Sequence, residues 1–299
     1  MKIKIISTVI SLVCILGCSK ETETKYSENT LVFKEEVNEI SIYQDINGVS
    51  VERKVFIRVP NTMDSTYDYP LFFGFHGAGG SGLQFLNNQK LTDLINAGEF
   101  IGVYPNGYSN SGSSGGFWNL GNEPTDADDI EFVSLIIEEI KKYKNVAISR
   151  MYAMGFSNGA GMVNLLGKST SYFNGIAPLF SQQILSIGAL SSKKSLSVYQ
   201  LNGLKDGLIP VNGGVSSVGN FMSAEDSVKN WIDAFHCNSS PLKQSFKWGE
   251  VDLDQWVYKD CDDNHEVKMI WAKETGHGFE DPIAKEKVYE EAWLFLKIH

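Results

Sequence analysis

Residues 150–166 read RMYAMGFSNGAGMVNLL, an apolar run that leads into a serine between two glycines. The apolar residues before Ser157 are typical of a buried strand, and the small and apolar residues after it are typical of a helix. A Cβ at Gly155 or Gly159 would crowd such a sharp turn, so the turn requires small residues there. The segment predicts an exposed nucleophilic serine between a strand and a helix. The alternative is an ordinary turn, because Gly-x-Ser-x-Gly also arises by chance.

Strands and helices alternate on both sides of this segment. Asn47 and Gly48 separate two alternating runs, which predicts an antiparallel hairpin because both central residues of a type I′ turn need positive φ. The alternation beyond it favours an α/β protein with a mostly parallel sheet and helices on both faces. We predict strands over 69–75, 100–105, 148–154, 174–180, 196–203 and 266–274, and helices over 83–98, 126–145, 159–168, 223–236 and 283–299.

A nucleophilic serine needs a base, and the base needs an acid to orient it. In the α/β-hydrolase fold these residues follow in the order Ser, Asp or Glu, His. His277 follows a predicted strand and precedes the last helix, which predicts it as the base. Asp206 follows a buried strand in a Gly-flanked loop, which predicts it as the acid, with a turn aspartate as the alternative. The other histidines and aspartates fit these roles less well. His76 precedes the serine, His265 is expected to be solvated, and His299 ends the chain. Three more fall in a predicted helix: His236, Asp226 and Asp233.

Ester or amide chemistry also needs backbone N–H groups that stabilise an oxyanion. Asn158, directly after the serine, is predicted to supply one of them. The loop HGAGGSG at 76–82 is predicted to supply the second from Ala78, with Gly79 as the near alternative. The same loop could instead only turn the chain or bind phosphate, although it lacks the lysine of a P-loop.

Trp118 lies in the glycine-rich segment SGGFWNLGNEP. An aromatic side chain in such a loop can line a substrate pocket, and we predict this role for Trp118. A place in the core is the alternative, because buried tryptophan is common.

Four acids, Asp126, Asp128, Asp129 and Glu131, stand close together and resemble a metal site. The dipole at the N-terminus of the predicted helix explains them more simply. The sequence has no HExxH, CxxC or dinucleotide-binding motif, so we predict neither a metal nor a cofactor.

The N-terminus carries an export signal. Two lysines precede an apolar run that is too short to span a bilayer, and the run ends in Leu16-Gly17-Cys18, which resembles a bacterial lipobox. We predict a lipoprotein signal peptide over 1–17, lipidation of Cys18, a tether over 18–30, and one catalytic domain over 31–299. The alternative is an unlipidated signal peptide. The predicted location is the bacterial cell envelope, in contact with membrane only through the lipid.

Charge and cysteine content limit the partners and the redox state. The formal net charge is −10 and no Lys/Arg cluster is present, which argues against nucleic acid as a partner. Once Cys14 is removed and Cys18 lipidated, Cys237 and Cys261 remain as an even pair in an exported chain, which predicts a disulfide. Two free thiols are the alternative.

As an ordered set, these segments resemble the secreted esterases grouped as polyhydroxybutyrate depolymerases and feruloyl or acetyl xylan esterases, similar to carbohydrate esterase family 1. The resemblance covers most of residues 40–298. It implies the α/β-hydrolase fold and the triad Ser157, Asp206 and His277. It rests on FHGAGGSG, GFWNLGNEPTDADDIEFVSLI, RMYAMGFSNGAGM, FNGIAPLF, LNGLKDGLIPVNGG, AEDSVKNWIDAFHC and WAKETGHGFE.

The chain departs from this pattern in ways that bear on the substrate. Gly278 and Phe279 replace the Trp-Pro that follows the histidine in many members, which implies an altered groove. The resemblance as a whole implies a serine esterase that cleaves feruloyl or acetyl esters of plant polysaccharide fragments, and we expect it to be a monomer. The alternatives are a hydrolase of polyhydroxyalkanoate polymers or oligomers, a peptidase of the same fold, and a non-catalytic glycan-binding lipoprotein.

Overall fold

A ten-stranded sheet forms the centre of the structure, a computed structural model that describes residues 31–112 and 115–299. The predicted signal peptide, the lipidated Cys18 and the tether to residue 30 lie outside these ranges. Numbered in chain order and given in their order across the sheet, the strands are β1 (Val37–Ile46), β2 (Val49–Arg58), β4 (Ile101–Pro105), β3 (Tyr69–Phe75), β5 (Val146–Phe156), β6 (Gly175–Leu179), β7 (Ser197–Gly203), β12 (Val267–Ala272), β11 (Val251–Tyr258) and β10 (Leu242–Trp248).

The middle of the sheet, from β4 to β12, is parallel, as the sequence predicts. Every residue of β3, β4, β6 and β7 is buried, because helices cover both faces. The mostly parallel α/β prediction is therefore confirmed. All parallel strands end at one edge, and the loops that follow β3, β5, β7 and β12 carry the residues singled out above.

Antiparallel hairpins extend the sheet at both ends. The predicted hairpin β1–β2 is confirmed, and its turn residues Asn47 and Gly48 have φ of 55° and 80°. The hairpin β10–β11 at the other edge was not predicted. Its first strand is mostly exposed and polar, so it lacks the apolar pattern that marks a strand. A small separate hairpin, β8 (Gly214–Ser216) and β9 (Gly219–Phe221), lies after β7.

Two apolar clusters pack on the opposite faces of the sheet. Helices α3, α4 and α6 contribute to one cluster, and α1, α2 and α7 to the other. No helix within the described ranges is long and apolar enough to cross a bilayer. The helices are α1 (Leu83–Leu86), α2 (Gln89–Asn96), α3 (Asp129–Ile140), α4 (Asn158–Ser169), α5 (Leu185–Gly188), α6 (Ala224–Ala234) and α7 (Pro282–Leu296).

A disulfide joins Cys237 to Cys261. It ties the segment after α6 to the segment between β11 and β12. The prediction of this bond from the even pair of cysteines is confirmed.

Candidate active site

The turn between β5 and α4 holds Ser157 in an unusual backbone conformation, with φ of 56° and ψ of −117°. A Cβ on Gly155 would lie 2.0 Å from the carbonyl oxygen of Gly159, and a Cβ on Gly159 would lie 2.0 Å from that of Phe75. Both glycines are therefore needed for the chain to turn here. The Ser157 N–H donates to the carbonyl of Leu179 at 3.0 Å, which fixes the turn against β6.

His277 joins the serine to the predicted acid. Its Nε2 lies 2.8 Å from Ser157 Oγ, and its Nδ1 lies 2.6 Å from Asp206 Oδ2. A carboxylate only accepts hydrogen bonds, so Nδ1 carries the proton and Nε2 is free to accept the serine hydroxyl. In this arrangement the imidazole can take a proton from the serine while the carboxylate stabilises the resulting charge.

Asp206 is held firmly by its own loop. Its side chain is only 4% exposed, and Oδ1 accepts the backbone N–H groups of Leu208 and Ile209, both at 2.9 Å. The second oxygen is thereby aimed at His277. The structure thus brings together the three residues predicted as nucleophile, acid and base.

The loop after β3 presents one of the two predicted N–H donors beside Ser157. The N–H of Gly79 donates to the carbonyl of Gly116 at 2.9 Å and is therefore occupied. The N–H groups of Ala78 and Asn158 donate to no group in the described part of the chain. Both residues line the same cavity as Ser157. This geometry favours Ala78 over Gly79 as the second donor.

His76 holds this loop in place, and both of its ring nitrogens are occupied by backbone groups. It is fully buried, its Nδ1 donates to the carbonyl of Gly77 at 2.8 Å, and its Nε2 accepts the N–H of Gly107 at 2.9 Å. Burial lowers the pKa of His76 to about 4. The ring is neutral at pH 7 and joins the loops after β3 and β4.

The side chain of Asn158 is fixed by three hydrogen bonds. Its Oδ1 accepts the N–H of Trp118 at 2.8 Å, and its Nδ2 donates to the Trp118 carbonyl at 3.0 Å and to Glu123 Oε1 at 3.1 Å. Glu123 Oε2 in turn accepts two backbone N–H groups of its own loop. The loop of residues 117–123 is therefore bound to the residue that follows the nucleophile.

The structure places Trp118 in the core, which corrects its predicted role in substrate binding. The side chain is fully buried, packs against Phe75, and donates from Nε1 to the carbonyl of His76 at 2.8 Å. Its neighbour Phe117 lines the cavity instead. Successive residues of an extended segment point to opposite sides, so the tryptophan supports the loop while the phenylalanine faces the substrate space.

A cavity of about 530 Å³ opens beside Ser157 on the side of Asn158. Apolar side chains form most of its wall, and the small hairpin β8–β9 closes one side. Among the described residues that line it, Glu123 alone is charged. The other wall residues of most consequence are Phe117, Leu120, Ile184, Ile209 and Phe221.

The four acids after Thr125 have structural partners. Asp128 caps α3 by accepting the N–H of Glu131 at 3.0 Å, as the helix-dipole interpretation expects. Asp129 instead forms a buried ion pair with Arg53 at 2.7 Å and accepts the N–H of Asn119. Across the described ranges, no group of three or more His, Cys, Asp or Glu residues could hold a metal ion.

His265 differs from its expectation as a solvated residue. It is only 7% exposed, and its Nδ1 lies 3.0 Å from Ser197 Oγ. The segment before β12 packs onto the start of β7 and buries His265. Because this contact joins distant parts of the chain, the residues around His265 in the sequence do not indicate its burial.

Sequence reasoning missed Glu123 and the hairpin β8–β9. Glu123 stands in the quoted segment GFWNLGNEP, but a single acid in a polar loop gives no sign of its partner 35 residues away. The hairpin lies in VNGGVSSVGNF, where three glycines have positive φ: Gly213, Gly214 and Gly219. Its glycine spacing was a usable signal for a tight hairpin.

The chain is similar in sequence to fungal esterases, although no protein-family model matches it. It is 28% identical over 235 residues to Feruloyl esterase B of Piromyces equi, covering 75% of this chain and 42% of that protein. It is 27% identical over 175 residues to the probable feruloyl esterase C of Aspergillus clavatus, covering 57% of this chain and 60% of that protein. The chain thus spans about half the length of these relatives.

Solved structures share the fold. The acetyl xylan esterase from Aspergillus awamori has a TM-score of 0.59 at 16% identity, with 87% of this chain and 100% of that chain covered. A CE1 ferulic acid esterase from Anaeromyces mucronatus, solved with ferulic acid, has a TM-score of 0.52 at 15% identity, with 87% and 89% covered. The chain therefore has the α/β-hydrolase fold of these structures and is similar in sequence to feruloyl esterases.

Proposed function

We propose that the protein hydrolyses carboxylic esters, with Ser157 as nucleophile, His277 as general base and acid, and Asp206 as the orienting acid. The observation that carries the proposal is the continuous pair of hydrogen bonds from Ser157 Oγ through His277 to Asp206, at 2.8 and 2.6 Å. Ser157 also directly precedes α4 and occupies a strained turn beside the backbone N–H groups of Ala78 and Asn158, as a reactive serine requires.

The reaction would proceed in two halves. Ser157 Oγ attacks the ester carbonyl while its proton passes to His277 Nε2, and the N–H groups of Ala78 and Asn158 stabilise the oxyanion. The carbon–oxygen bond of the ester breaks, His277 returns the proton to the leaving alcohol, and an acyl-serine remains. Water, deprotonated by His277, then releases the acid and restores the serine.

We infer that feruloyl or acetyl esters of plant polysaccharide fragments are the substrates. The names of the relatives support this class, and the largely apolar cavity of about 530 Å³ beside Ser157 has room for an aromatic acyl group. The same apolar wall also fits a short hydroxyalkanoate acyl group, so polyhydroxyalkanoate oligomers are the second candidate.

We further propose that the chain is an exported bacterial lipoprotein and a monomer, with a catalytic domain over 31–299 anchored through Cys18. Leu31 pairs with Lys142 and Lys144, which precede β5, whereas Ser157 follows β5. The tether would therefore join the edge of the sheet opposite the active site, and the site would face away from the membrane. Detergent partitioning of wild type and Cys18→Ser tests the anchor, and size-exclusion chromatography of residues 19–299 tests the monomer.

The test of the activity is hydrolysis of methyl ferulate, p-nitrophenyl acetate and p-nitrophenyl butyrate by residues 19–299. Wild type should turn over at least one ester, and Ser157→Ala should lose at least about 10³-fold in kcat. Ser245→Ala, on the distant strand β10, is the matched control and should keep full activity. A folded, disulfide-bonded wild type that cleaves no ester would refute the esterase proposal. It would favour the alternative of a non-catalytic glycan-binding lipoprotein.

A further inference from the structure

A second cleft, of about 560 Å³, has His277 in its wall, whereas His277 does not line the apolar cavity beside Ser157. Its walls come from the α1–α2 junction, from the start of α7, and from His277 and Gly278. Phe156, the residue before the nucleophile, lines it as well. The cleft therefore adjoins His277 and the residue that precedes Ser157.

The positions of Ser157 and His277 indicate which cavity would hold the acyl half of the ester and which would hold the alcohol half. The acyl carbon bonds to Ser157 and its oxygen faces Ala78 and Asn158, all three of which line the apolar cavity. The leaving oxygen must lie near His277 Nε2, because His277 protonates it. The alcohol half of the ester is thus directed toward His277, which lines the second cleft together with Phe156, the residue before the nucleophile.

The two sides differ in chemistry. The second cleft presents polar groups from two elements: Asn87 from the α1–α2 junction, and Lys285 and Glu286 from α7. Within the described residues, these three side chains make no hydrogen bond and no ion pair. An amide, an ammonium and a carboxylate together offer donors and acceptors, the combination that several neighbouring hydroxyl groups require.

Aromatic residues form the floor of the same cleft. Phe156 is half-buried and lies beside His277, with 5.4 Å between the ring centres and an angle of 57° between the ring planes. Phe279 is buried against Phe180 and Trp248. A pocket with one aromatic face and free polar groups on its rim suits a ring that is apolar on its faces and polar at its edge.

We infer that this cleft binds the alcohol half of the ester and that it takes a sugar. This inference rests on the proposed esterase function and adds the position and chemistry of the leaving-group site. Because the polar residues of the cleft would contact only the sugar, their replacement should slow the hydrolysis of sugar esters. Hydrolysis of esters of simple alcohols should not change.

The experiment compares two esters with the same acyl group, methyl ferulate and feruloyl arabinofuranose. For a wild type that prefers acetyl groups, p-nitrophenyl acetate and acetylated xylobiose replace them. The variants are Asn87→Ala/Lys285→Ala, which removes two polar groups, and Asn87→Trp, which fills the cleft. Lys193→Ala/Lys243→Ala, at two exposed sites away from it, is the matched control.

Each cleft variant should lower kcat/KM for the sugar ester about tenfold and change that for the methyl ester by less than twofold. The control should change neither. Free arabinoxylan oligosaccharide should inhibit wild type competitively and the cleft variants weakly. Equal losses on both esters, or an unchanged sugar ester, would overturn the assignment while leaving the esterase intact. A wild type that cleaves no ester would overturn both.

Discussion

Glu123 accepts a hydrogen bond of 3.1 Å from the side chain of Asn158, the residue whose backbone N–H faces the predicted oxyanion. The carboxylate has no cationic partner in the described part of the chain and is tied to its own loop by the N–H groups of Leu120 and Asn122. Glu123 therefore joins a wall of the apolar cavity to the start of α4. Its place indicates a positioning role, exerted through Asn158.

Glu123→Ala should lower kcat about tenfold with little change in KM, because the oxyanion N–H donor that Asn158 would supply acts on the transition state more than on substrate binding. Glu123→Gln keeps one acceptor oxygen and should lose less. Steady-state kinetics on p-nitrophenyl acetate measure both, with the exposed Glu35→Ala as the control. A loss confined to KM would instead assign Glu123 to substrate binding.

Asp206→Asn should lower kcat by about 10⁴-fold and leave the stability of the fold nearly unchanged. The amide oxygen can still accept the N–H groups of Leu208 and Ile209, but the NH₂ group would face His277 Nδ1. The imidazole would then carry its proton on Nε2, where it cannot accept the serine proton. Activity and thermal unfolding measured on the same sample separate the two effects. A loss below tenfold would remove Asp206 from the proposed triad.

The proposed triad could be predicted from sequence because each of its residues follows a strand of the parallel sheet. Such strands are apolar throughout, and the residue after each one lies at the same edge. Ser157, Asp206 and His277 could therefore be chosen by their position relative to strands, without knowledge of any contact. The glycines around the serine added a steric requirement that the sequence displays directly.

What sequence reasoning missed depends on contacts between distant segments. Trp118 and Phe117 are adjacent and chemically similar, yet one is fully buried and the other lines the cavity. Glu123 gains its role only once its loop packs beside α4. The edge hairpin β10–β11 has few buried residues, so its strands lack the apolar pattern by which inner strands are identified.

Removal of either partner of the ion pair between Arg53 and Asp129 should strongly lower the free energy of unfolding. Both side chains are at most 2% exposed, the guanidinium lies 3.5 Å from the ring centre of Phe132, and burial lowers the pKa of Arg53 and raises that of Asp129. Arg53→Met should destabilise the protein by about 3–5 kcal/mol because it leaves Asp129 buried without its charge partner.

The double variant Arg53→Met/Asp129→Leu removes both charges and should lose less stability than Arg53→Met alone. Guanidinium chloride unfolding of wild type, both single variants and the double variant completes the cycle. If the double variant loses the sum of the two single losses, the charges are not coupled and the argument is wrong.

Loss of the disulfide between Cys237 and Cys261 should lower stability without lowering activity. The bond closes a loop with a sequence separation of 24, which corresponds to about 3 kcal/mol in the chain-entropy description. Cys237→Ser/Cys261→Ser should therefore unfold about 6 °C below wild type. Its kcat at 25 °C should match wild type, since neither cysteine lines the apolar cavity or the cleft beside His277. A matching loss of activity would imply that the bond also orders the active site.

The buried His76 should make the protein less stable in mild acid. Burial lowers its pKa to about 4 in the folded state, with a smaller contribution from the Arg53 guanidinium, whereas the unfolded chain has the ordinary value near 6.5. Between these values the unfolded state binds more protons than the folded state. The free energy of unfolding must then fall as the pH falls from about 6.5 to 4, by about 3 kcal/mol in total.

His76→Gln removes this titration while its amide can still bond to neighbouring backbone groups. The variant should be less stable than wild type at pH 7, because one side chain no longer bridges Gly77 and Gly107 in the same geometry. The deficit should shrink as the pH falls from 6.5 to 4, since only wild type must then resist protonation of a buried ring. Urea unfolding of both proteins at half-unit intervals measures the difference. A deficit that stays constant across this range would mean that His76 is protonated in the folded protein, and the neutral hydrogen-bonding role assigned to it beside Ala78 would be wrong.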